Sequence, residues 1–269
     1  MKRHIFHYEI SEVAPYIDWS YLLHAWGLTG KATEHTAEEI INDAKAILDE
    51  TEGKYRTHAL FALCEAKGSD DDIIIEERKY PLLRQQHTQT DKPNLCLSDF
   101  VSPHGDKIGL FATTIDGTFG TGHSDDPYHN LLAQTLADRL AEATASLMHR
   151  QIRTQKELWG YSQHEELTIK ELLQEKNQGI RPAVGYPSLP DQSIIFEIDK
   201  IVNLGGIGIT LTPNGAMTPH ASVCGMIFAH PQACYFAVGR ISDEQLADYA
   251  QRRGTTPPEL KKYLSRNIE

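Results

Sequence analysis

The longest helical pattern in the chain occupies residues 125–160, which read DDPYHNLLAQTLADRLAEATASLMHRQIRTQKELWG. Apolar residues recur in it at helical spacing, at Leu132, Leu136, Leu140, Ala143 and Leu147. This spacing predicts a helix from about Asp125 to about Trp159, with one buried side and with Gly160 at its end. At about 1.5 Å per residue the helix would be roughly 50 Å long, which is enough to form the spine of a domain.

The segment before this helix predicts one further helix and several strands. An amphipathic helix is expected over residues 36–50, with Thr36 and Glu39 as a capping box at its start. Four strands are expected at Thr57–Ala66, Asp72–Glu77, Leu95–Val101 and Lys107–Ile115. The acidic run Asp70–Asp72 lies between the first two strands and is interpreted as a solvated turn.

The segment after the long helix alternates between the two element types. Helices are expected from Thr168 to Gly179, over residues 192–203, after Ser242, and from Pro257. Three more strands are expected at Ile207–Leu211, Ser222–Ala229 and Tyr235–Ile241.

Adjacent strands and grouped helices predict an α+β fold with a twisted, largely antiparallel sheet. No Gly-x-Gly-x-x-Gly motif occurs, so a dinucleotide-binding fold has little support. We treat residues 1–269 as a single domain, with a helical N-terminal part over about 1–55 and a core over about 56–269.

The composition excludes several classes of function. The chain has 26 Lys plus Arg and 37 Asp plus Glu, and its net charge of −11 disfavours binding to nucleic acid or to an anionic membrane. No apolar run approaches the ~18 residues that span a bilayer, and no secretory signal follows Met1. Cys64, Cys96 and Cys224 lie in apolar surroundings, which indicates reduced thiols in a cytoplasmic protein. No zinc-binding His-Glu-x-x-His pattern is present, and no metal site is predicted.

A proline-rich loop at residues 180–187 holds one arginine and one tyrosine between turn-forming residues. Pro182 and Pro187 favour extended backbone at Arg181 and Tyr186, and Gly185 allows a close approach by a ligand or by another segment. A guanidinium on a stiff loop is suited to forked recognition of a carboxylate or phosphate. The alternative is a surface turn with a solvated arginine.

Four other elements give weak signals when they are taken separately. Asp18 lies beside Trp19, and Glu142 lies among alanines and leucines of the long helix, where a solvated edge is the alternative. His220 lies among small residues, as a hydrogen-bonded loop histidine would. Tyr235 and Phe236 are expected to face opposite sides of a strand. Asp138 and Arg139 are interpreted as a local surface pair.

Taken together, these segments resemble the activation domain of cobalamin-dependent methionine synthase, the part that binds S-adenosylmethionine. The resemblance extends from about Tyr16 to about Leu264, and residues 136–143 and 178–187 are its most specific parts. The matching motifs are Ile-Asp-Trp (17–19), Leu-Arg-Gln-Gln (83–86), Cys-Leu-Ser-Asp-Phe-Val (96–101), Leu-Ala-Asp-Arg-Leu-Ala-Glu-Ala (136–143), Trp-Gly-Tyr (159–161), Gln-Gly-Ile-Arg-Pro-Ala-Val-Gly-Tyr-Pro (178–187), Ala-Ser-Val-Cys-Gly (221–225) and Tyr-Phe-Ala-Val (235–238).

The resemblance implies a C-shaped α+β domain and a role in repairing an oxidised cofactor. Such a domain presents S-adenosylmethionine to cob(II)alamin while a flavodoxin or similar reductase supplies an electron, and methyl transfer to the transient cob(I)alamin restores methylcobalamin. No Asp-x-His-x-x-Gly motif for cobalt ligation occurs here. Cobalamin is therefore expected on a partner chain, either a methionine synthase or another corrinoid protein.

The resemblance also implies where the ligand contacts lie. Arg181 is expected to bind the carboxylate of S-adenosylmethionine, and Asp18 and Glu142 its ammonium or hydroxyl groups. Backbone groups at Ala183 and Gly185 are expected to meet the adenine or the ligand chain. Tyr235, with Phe236 beside it, is expected to add a hydroxyl contact, and Tyr186 to face the ligand or the corrin. No general base is implied, because the nucleophile is the cobalt.

Two departures from the family pattern concern the rim of the site. Gln192 stands where the family usually has a histidine, and Thr218-Pro219-His220 replaces a Trp-Pro-Gly segment. Two other hypotheses remain open: a non-catalytic module that binds S-adenosylmethionine and a corrinoid protein, and a hydrolase that uses His220 or His230 with a carboxylate.

Overall fold

The computed structural model describes residues 1–28, 34–87, 93–120, 125–264 and 267–268. Its strands are β1 (Lys2–Glu9), β2 (Arg56–Ser69), β3 (Asp72–Ile75), β4 (Arg78–Pro81), β5 (Asp106–Ile115), β6 (Thr210–Leu211), β7 (Met217–Thr218) and β8 (Ser222–Ile227). Its helices are α1 (Ile10–Val13), α2 (Trp19–Ala25), α3 (Glu34–Thr51), α4 (Pro127–Thr154), α5 (Ile169–Leu173), α6 (Ile194–Val202), α7 (Asp243–Arg253) and α8 (Pro257–Lys261). Short 3-10 turns occur at Ala14–Tyr16, Leu97–Phe100 and Leu204–Ile207.

The main sheet of the described residues is antiparallel and has the order β4-β3-β2-β5-β8. The long strand β2 organises it, because β1 and β3 pair with successive parts of one of its edges while β5 pairs with the other edge. The small β6–β7 pair forms a separate sheet. The α+β fold predicted from the sequence, with a largely antiparallel sheet and a long helix, is confirmed.

Strict alternation along β2 gives the sheet two apolar faces. Ala59 and Phe61 are buried in a cluster with the apolar side of α4, whereas Leu60 and Ala62 are buried in a second cluster with α6. Successive side chains of a strand point to opposite faces, so both clusters are built from one strand. A third cluster joins α7 and α8. The sheet is therefore packed against helices on both faces.

The long helix α4 is bounded by local signals. The side chain of Asp126 caps it by accepting a hydrogen bond from the backbone N–H of Tyr128, and Pro127 occupies the first turn. The helix ends at Thr154, so the prediction that it continues to Trp159 is wrong. The chain leaves the helix there and folds back, and the N–H of Gly160 donates to the carbonyl of Ile152. Its 28 residues give a helix of about 42 Å.

The N-terminal part is not wholly helical as predicted. Residues 2–9 form β1, which pairs with β2 along its whole length. The aromatic rings of Phe6 and Tyr8 stack on one face of this strand, a period-two pattern that favours a strand. Helix α3 is confirmed, but it begins at Glu34, so Thr36 lies inside it and is not its cap.

Three predicted strands are absent as such. Residues 97–100 of the predicted strand 95–101 form a 3-10 turn, in which the carboxylate of Asp99 accepts from the N–H of Cys96. In the predicted strand 207–211, Ile207 ends another 3-10 turn, and only Thr210–Leu211 is extended, as β6. Residues 235–241 form no regular element. The predicted strands at 57–66, 72–77, 107–115 and 222–229 are confirmed as β2, β3, β5 and β8, with shifted ends.

The remaining helices after α4 match their sequence signals. The capping box of Thr168 and Glu171 is present, although α5 ends at Leu173 and does not reach Gly179. Ser242 caps α7, and Gly254 in the left-handed conformation ends it. Helices α6 and α8 also lie where they were predicted.

The acidic turn between β2 and β3 is only partly solvated, because Asp70 is exposed as predicted but Asp71 is partly buried and Asp72 is buried. Asp72 is buried and forms ion pairs with Lys79 and Arg252, both at 2.6 Å. Asp71 pairs with Arg84 at 2.6 Å. The pair with Arg252 ties the turn to α7, and the other two tie it to β4 and to the segment after β4.

Candidate functional site

A cleft with a volume of about 980 Å³ opens beside α4, within the size range of small-molecule sites. Its walls come from the start of α2, one side of α4, the end of α5, the loop 181–188 and the segment 235–237. Phe111 of β5 and Val223 of β8 also line it. The cleft therefore joins segments that lie far apart in the sequence.

Arg181 enters the cleft from the loop after α5. Its backbone N–H donates to the hydroxyl of Tyr235 over 3.0 Å, and its Nη2 donates to Oγ of Ser146 over 2.8 Å. The guanidinium is partly buried, and the ion pairs of the described residues do not include it. A fixed guanidinium without a carboxylate partner is suited to an anionic ligand group.

The loop is held against β8 by main-chain hydrogen bonds. The N–H of Val184 donates to the carbonyl of Cys224 over 2.8 Å, and the N–H of Met226 donates to that of Pro182 over 3.1 Å. A Cβ at Gly225 would lie 2.2 Å from the Pro182 oxygen, so the absence of a side chain at Gly225 permits this approach. The close approach predicted at Gly185 is also present: a Cβ there would lie 2.5 Å from Oε1 of Gln192, and Gly185 has a φ of +84° in the turn of the loop.

Glu142 projects from α4 toward the loop. The hydroxyl of Tyr186 donates to Oε1 of Glu142 over 2.7 Å. Desolvation, and then the negative charge of Glu142, raise the pKa of Tyr186, so its hydroxyl stays protonated at neutral pH. The Tyr186 side chain remains half-exposed at the mouth of the cleft. Its hydroxyl holds the Glu142 carboxylate in place.

A second segment, residues 235–238, runs alongside the loop and is tied to it. The Oγ of Ser188 donates to the carbonyl of Phe236 and accepts from its N–H, and the N–H of Val238 donates to the carbonyl of Pro187. Desolvation raises the pKa of Tyr235. Because the Tyr235 hydroxyl already accepts from Arg181, its own hydrogen is free to be donated to a ligand.

Asp18 lines the cleft at the start of α2. Its Oδ1 accepts from the backbone N–H of Ser20 over 2.9 Å and thereby caps α2. Tyr16, just before it, accepts a hydrogen bond from Arg150 of α4 over 2.9 Å. The cap and this contact fix the start of α2 against α4.

The structure brings together seven of the eight predicted site residues as cleft-lining residues: Asp18, Glu142, Arg181, Ala183, Tyr186, Tyr235 and Phe236. Gly185 does not line the cleft, and its N–H donates to the carbonyl of Leu189. Ala183 is buried, and its carbonyl accepts from the N–H of Tyr186.

Other lining residues were not predicted as site residues: Tyr16, Tyr21, Arg139, Ser146 and Glu175. Ser146 could have been found from the spacing, because it lies four residues after Glu142 and so on the same side of the helix. The predicted surface pair of Asp138 and Arg139 is not among the ion pairs of the described residues: Asp138 pairs with His220, and Arg139 lines the cleft with its guanidinium 6.0 Å from the ring of Tyr21. Glu175 carries no sequence signal, and it enters the cleft through a left-handed turn with φ of 56°.

A buried histidine lies on α4 within electrostatic range of Arg181. His149 is fully buried on α4, and its Nε2 lies 2.7 Å from the hydroxyl of Tyr161. Burial, and then the cationic Arg153 and Arg181, lower the pKa of His149 far below its usual range, so it is neutral. Arg153 itself forms a buried, two-pronged ion pair with Glu165 at 2.6 and 2.8 Å.

The histidines of the hydrolase hypothesis do not line the cleft. His220 is almost fully exposed and lies 3.5 Å from Asp138, and Nδ1 of His230 accepts from the backbone N–H of Gln232. Gln192 also lies off the cleft lining, where its Nε2 donates to the carbonyl of Gly215. Neither histidine is thus placed to act in the cleft.

Neither a metal-binding cluster nor a membrane-spanning helix occurs among the described residues. Within the ranges given above, no group of three or more His, Cys, Asp or Glu side chains is arranged to hold a metal ion. Among the same residues, no helix has the length and apolar character needed to cross a bilayer.

Comparison with known proteins identified similar chains. Residues 9–254 match the family model described as the vitamin B12-dependent methionine synthase activation domain. A solved structure of the MetH reactivation domain bound to AdoHcy is similar, with a TM-score of 0.90 and 33% sequence identity. The similarity covers 100% of this chain and 90% of that one.

Proposed function

This chain belongs to the activation-domain family of vitamin B12-dependent methionine synthase, and from that premise we propose that it binds S-adenosylmethionine in the cleft to reactivate cobalamin. The observation that carries the proposal is the set of fixed charges in the cleft. Arg181 lacks a carboxylate partner among the described residues, while Asp18 and Glu142 supply negative charge nearby. A similar structure holds AdoHcy, which is S-adenosylmethionine without its methyl group.

The charges of the ligand match those of the cleft. S-adenosylmethionine has one carboxylate, and both its ammonium and its sulfonium are cationic. We assign the carboxylate to the Arg181 guanidinium, since a planar fork can make two parallel hydrogen bonds to it. We assign the ammonium and the ribose hydroxyls to Asp18 and Glu142, and a hydroxyl contact to Tyr235. Phe236, backbone groups of Ala183 and the turn that Gly185 forms would shape the remaining wall.

The proposed reaction consists of one electron transfer and one methyl transfer. A reductase supplies one electron to cob(II)alamin, and the resulting cob(I)alamin attacks the sulfonium methyl. The S–CH₃ bond breaks, its electron pair stays on sulfur, and AdoHcy leaves as a neutral thioether while methylcobalamin is restored. The chain contributes proximity, because it holds the methyl group at the cleft mouth where Tyr186 is exposed. No proton is transferred, so no general base is required.

We propose that the cobalamin is carried by a methionine synthase or corrinoid-protein module on a partner chain, with a flavodoxin-like reductase as electron donor. These 269 residues contain no Asp-x-His-x-x-Gly motif that would ligate cobalt. We further propose a cytoplasmic location. The free, buried thiols of Cys64, Cys96 and Cys224 are consistent with a reducing compartment.

The test is reconstitution with purified components. The chain is mixed with a methionine synthase module loaded with cob(II)alamin, a low-potential chemical reductant and S-adenosylmethionine. We expect the methylcobalamin absorption band to appear with one equivalent of AdoHcy. Replacing S-adenosylmethionine with AdoHcy, or omitting the chain, should abolish the band. Ligand binding without the band, in the presence of a competent module, would favour the non-catalytic binding module and overturn the proposed reaction.

A further inference from the structure

Ser146 occupies a place in the cleft that the proposed ligand contacts leave unexplained. It lies on α4 four residues after Glu142, so both side chains project from the same side of the helix. It lines the cleft and is partly buried. Its Oγ accepts a hydrogen bond from Nη2 of Arg181 over 2.8 Å.

Ser146 also forms a hydrogen bond with its own helix, and this bond determines that Ser146 is the acceptor in its hydrogen bond with Arg181. Its Oγ lies 3.3 Å from the carbonyl oxygen of Glu142, to which it donates its hydrogen. A serine hydroxyl has one hydrogen, so donating it to the helix leaves only lone pairs for Arg181. The serine is thus an obligate acceptor for the guanidinium, and it is anchored to a rigid helix.

The arginine has few other restraints at its charged end. Its backbone N–H is bonded to Tyr235, but no ion pair among the described residues holds the guanidinium. A free arginine side chain loses rotamer entropy when it is fixed. A single acceptor that fixes it before the ligand arrives reduces this cost at the moment of binding.

We propose that Ser146 is a positioning residue that holds the Arg181 guanidinium for the carboxylate of S-adenosylmethionine. The inference rests on the proposed function, because it presupposes that Arg181 binds this carboxylate. Ser146 then contributes to recognition of the amino-acid end of the ligand through Arg181, since its side-chain hydrogen bonds among the described residues go to Arg181 and to the helix. Its effect should therefore depend on whether the ligand has a carboxylate.

The experiment measures dissociation constants by calorimetry for S-adenosylmethionine and by competition for its decarboxylated analogue, which lacks only the carboxylate. Ser146→Ala should weaken S-adenosylmethionine binding about fivefold, as expected for one lost hydrogen bond, and leave the analogue unchanged. Ser146→Thr, which keeps the hydroxyl, should restore most of the affinity. Thr135→Ala is the matched control, because Thr135 makes the same bond to a carbonyl of α4 and does not line the cleft.

A double-mutant cycle with Arg181→Ala separates positioning from a general structural effect. In the Arg181→Ala background, Ser146→Ala should have no further effect on S-adenosylmethionine binding. Equal losses for both ligands, additive losses in the cycle, or no loss at all would overturn the role of Ser146 while leaving the proposed function intact. Failure of the unmutated chain to bind S-adenosylmethionine would overturn both.

Discussion

Replacement of Arg181 by alanine tests the most specific contact in the proposed site. In the unliganded protein the guanidinium donates one hydrogen bond from Nη2 to Ser146, and it is without an ion pair among the described residues. The substitution removes a partly buried cation together with this bond, and the two effects on stability oppose each other. The backbone N–H of residue 181 still reaches Tyr235. We therefore expect the melting temperature without ligand to change little.

The effect on binding should be much larger than the effect on stability. A hydrogen bond to a charged group contributes about 1.5–3 kcal/mol, so Arg181→Ala should raise the dissociation constant for S-adenosylmethionine roughly 10- to 150-fold. Arg181→Lys keeps the charge but loses the fork, and an intermediate loss is expected. Titration calorimetry at a temperature well below unfolding measures both variants.

Two controls decide whether the carboxylate is responsible. Arg240→Ala removes an exposed arginine outside the cleft and should leave binding unchanged. The decarboxylated analogue should bind Arg181→Ala and the unmutated chain with similar affinity. An unchanged dissociation constant for S-adenosylmethionine, or an equal loss for the analogue, would refute the assignment of the carboxylate to Arg181.

Three further predictions concern other parts of the molecule. Asp18→Asn should weaken S-adenosylmethionine binding about tenfold or more without lowering the melting temperature, since asparagine can still cap α2 through Ser20; a large loss of stability would mark a structural role instead. Gly225→Ala should lower the free energy of unfolding by about 1–3 kcal/mol and weaken binding, because its Cβ would meet the Pro182 oxygen at 2.2 Å; a urea midpoint equal to that of the unmutated chain would contradict this. Buried His149 has a pKa far below its usual range, so below about pH 6.5 only the unfolded state takes up a proton at this residue. The free energy of unfolding should therefore fall by up to about 1.4 kcal/mol per pH unit as the pH is lowered. In urea titrations at several pH values His149→Gln should show a shallower fall, and the same dependence of unfolding free energy on pH in both proteins would exclude His149 as its origin.

The sequence predicted the elements whose patterns are local. The apolar spacing of α4, the caps at Thr168 and Ser242, and the alternation of β2 each involve residues within a few positions of one another. Neighbouring residues determine the local backbone geometry of these elements, so the helices and strands that such patterns predict are present in the fold. The most specific motif, residues 178–187, likewise lies where the cleft is formed.

The errors arose where distant residues decide the local conformation. Alternation at 235–241 predicted a strand, but the neighbouring loop contains Pro182 and Pro187, which have no N–H to donate to a ladder. The hydrogen bonds of this segment go instead to the side chain of Ser188 and to single carbonyl groups. The pairing of Asp72 with Arg252, 180 residues later in the chain, likewise had no local signal.

Hydrogen bonds join the two segments that border the cleft, residues 181–188 and 235–238, and this affects how ligand affinity can change. The Ser188 hydroxyl forms hydrogen bonds with both the carbonyl and the N–H of Phe236, and the Tyr235 hydroxyl accepts one from the backbone N–H of Arg181. A displacement of either segment must carry the other with it. Natural variants that retune the ligand preference should therefore differ in both segments at once, since a single change in one would disturb contacts made by its neighbour.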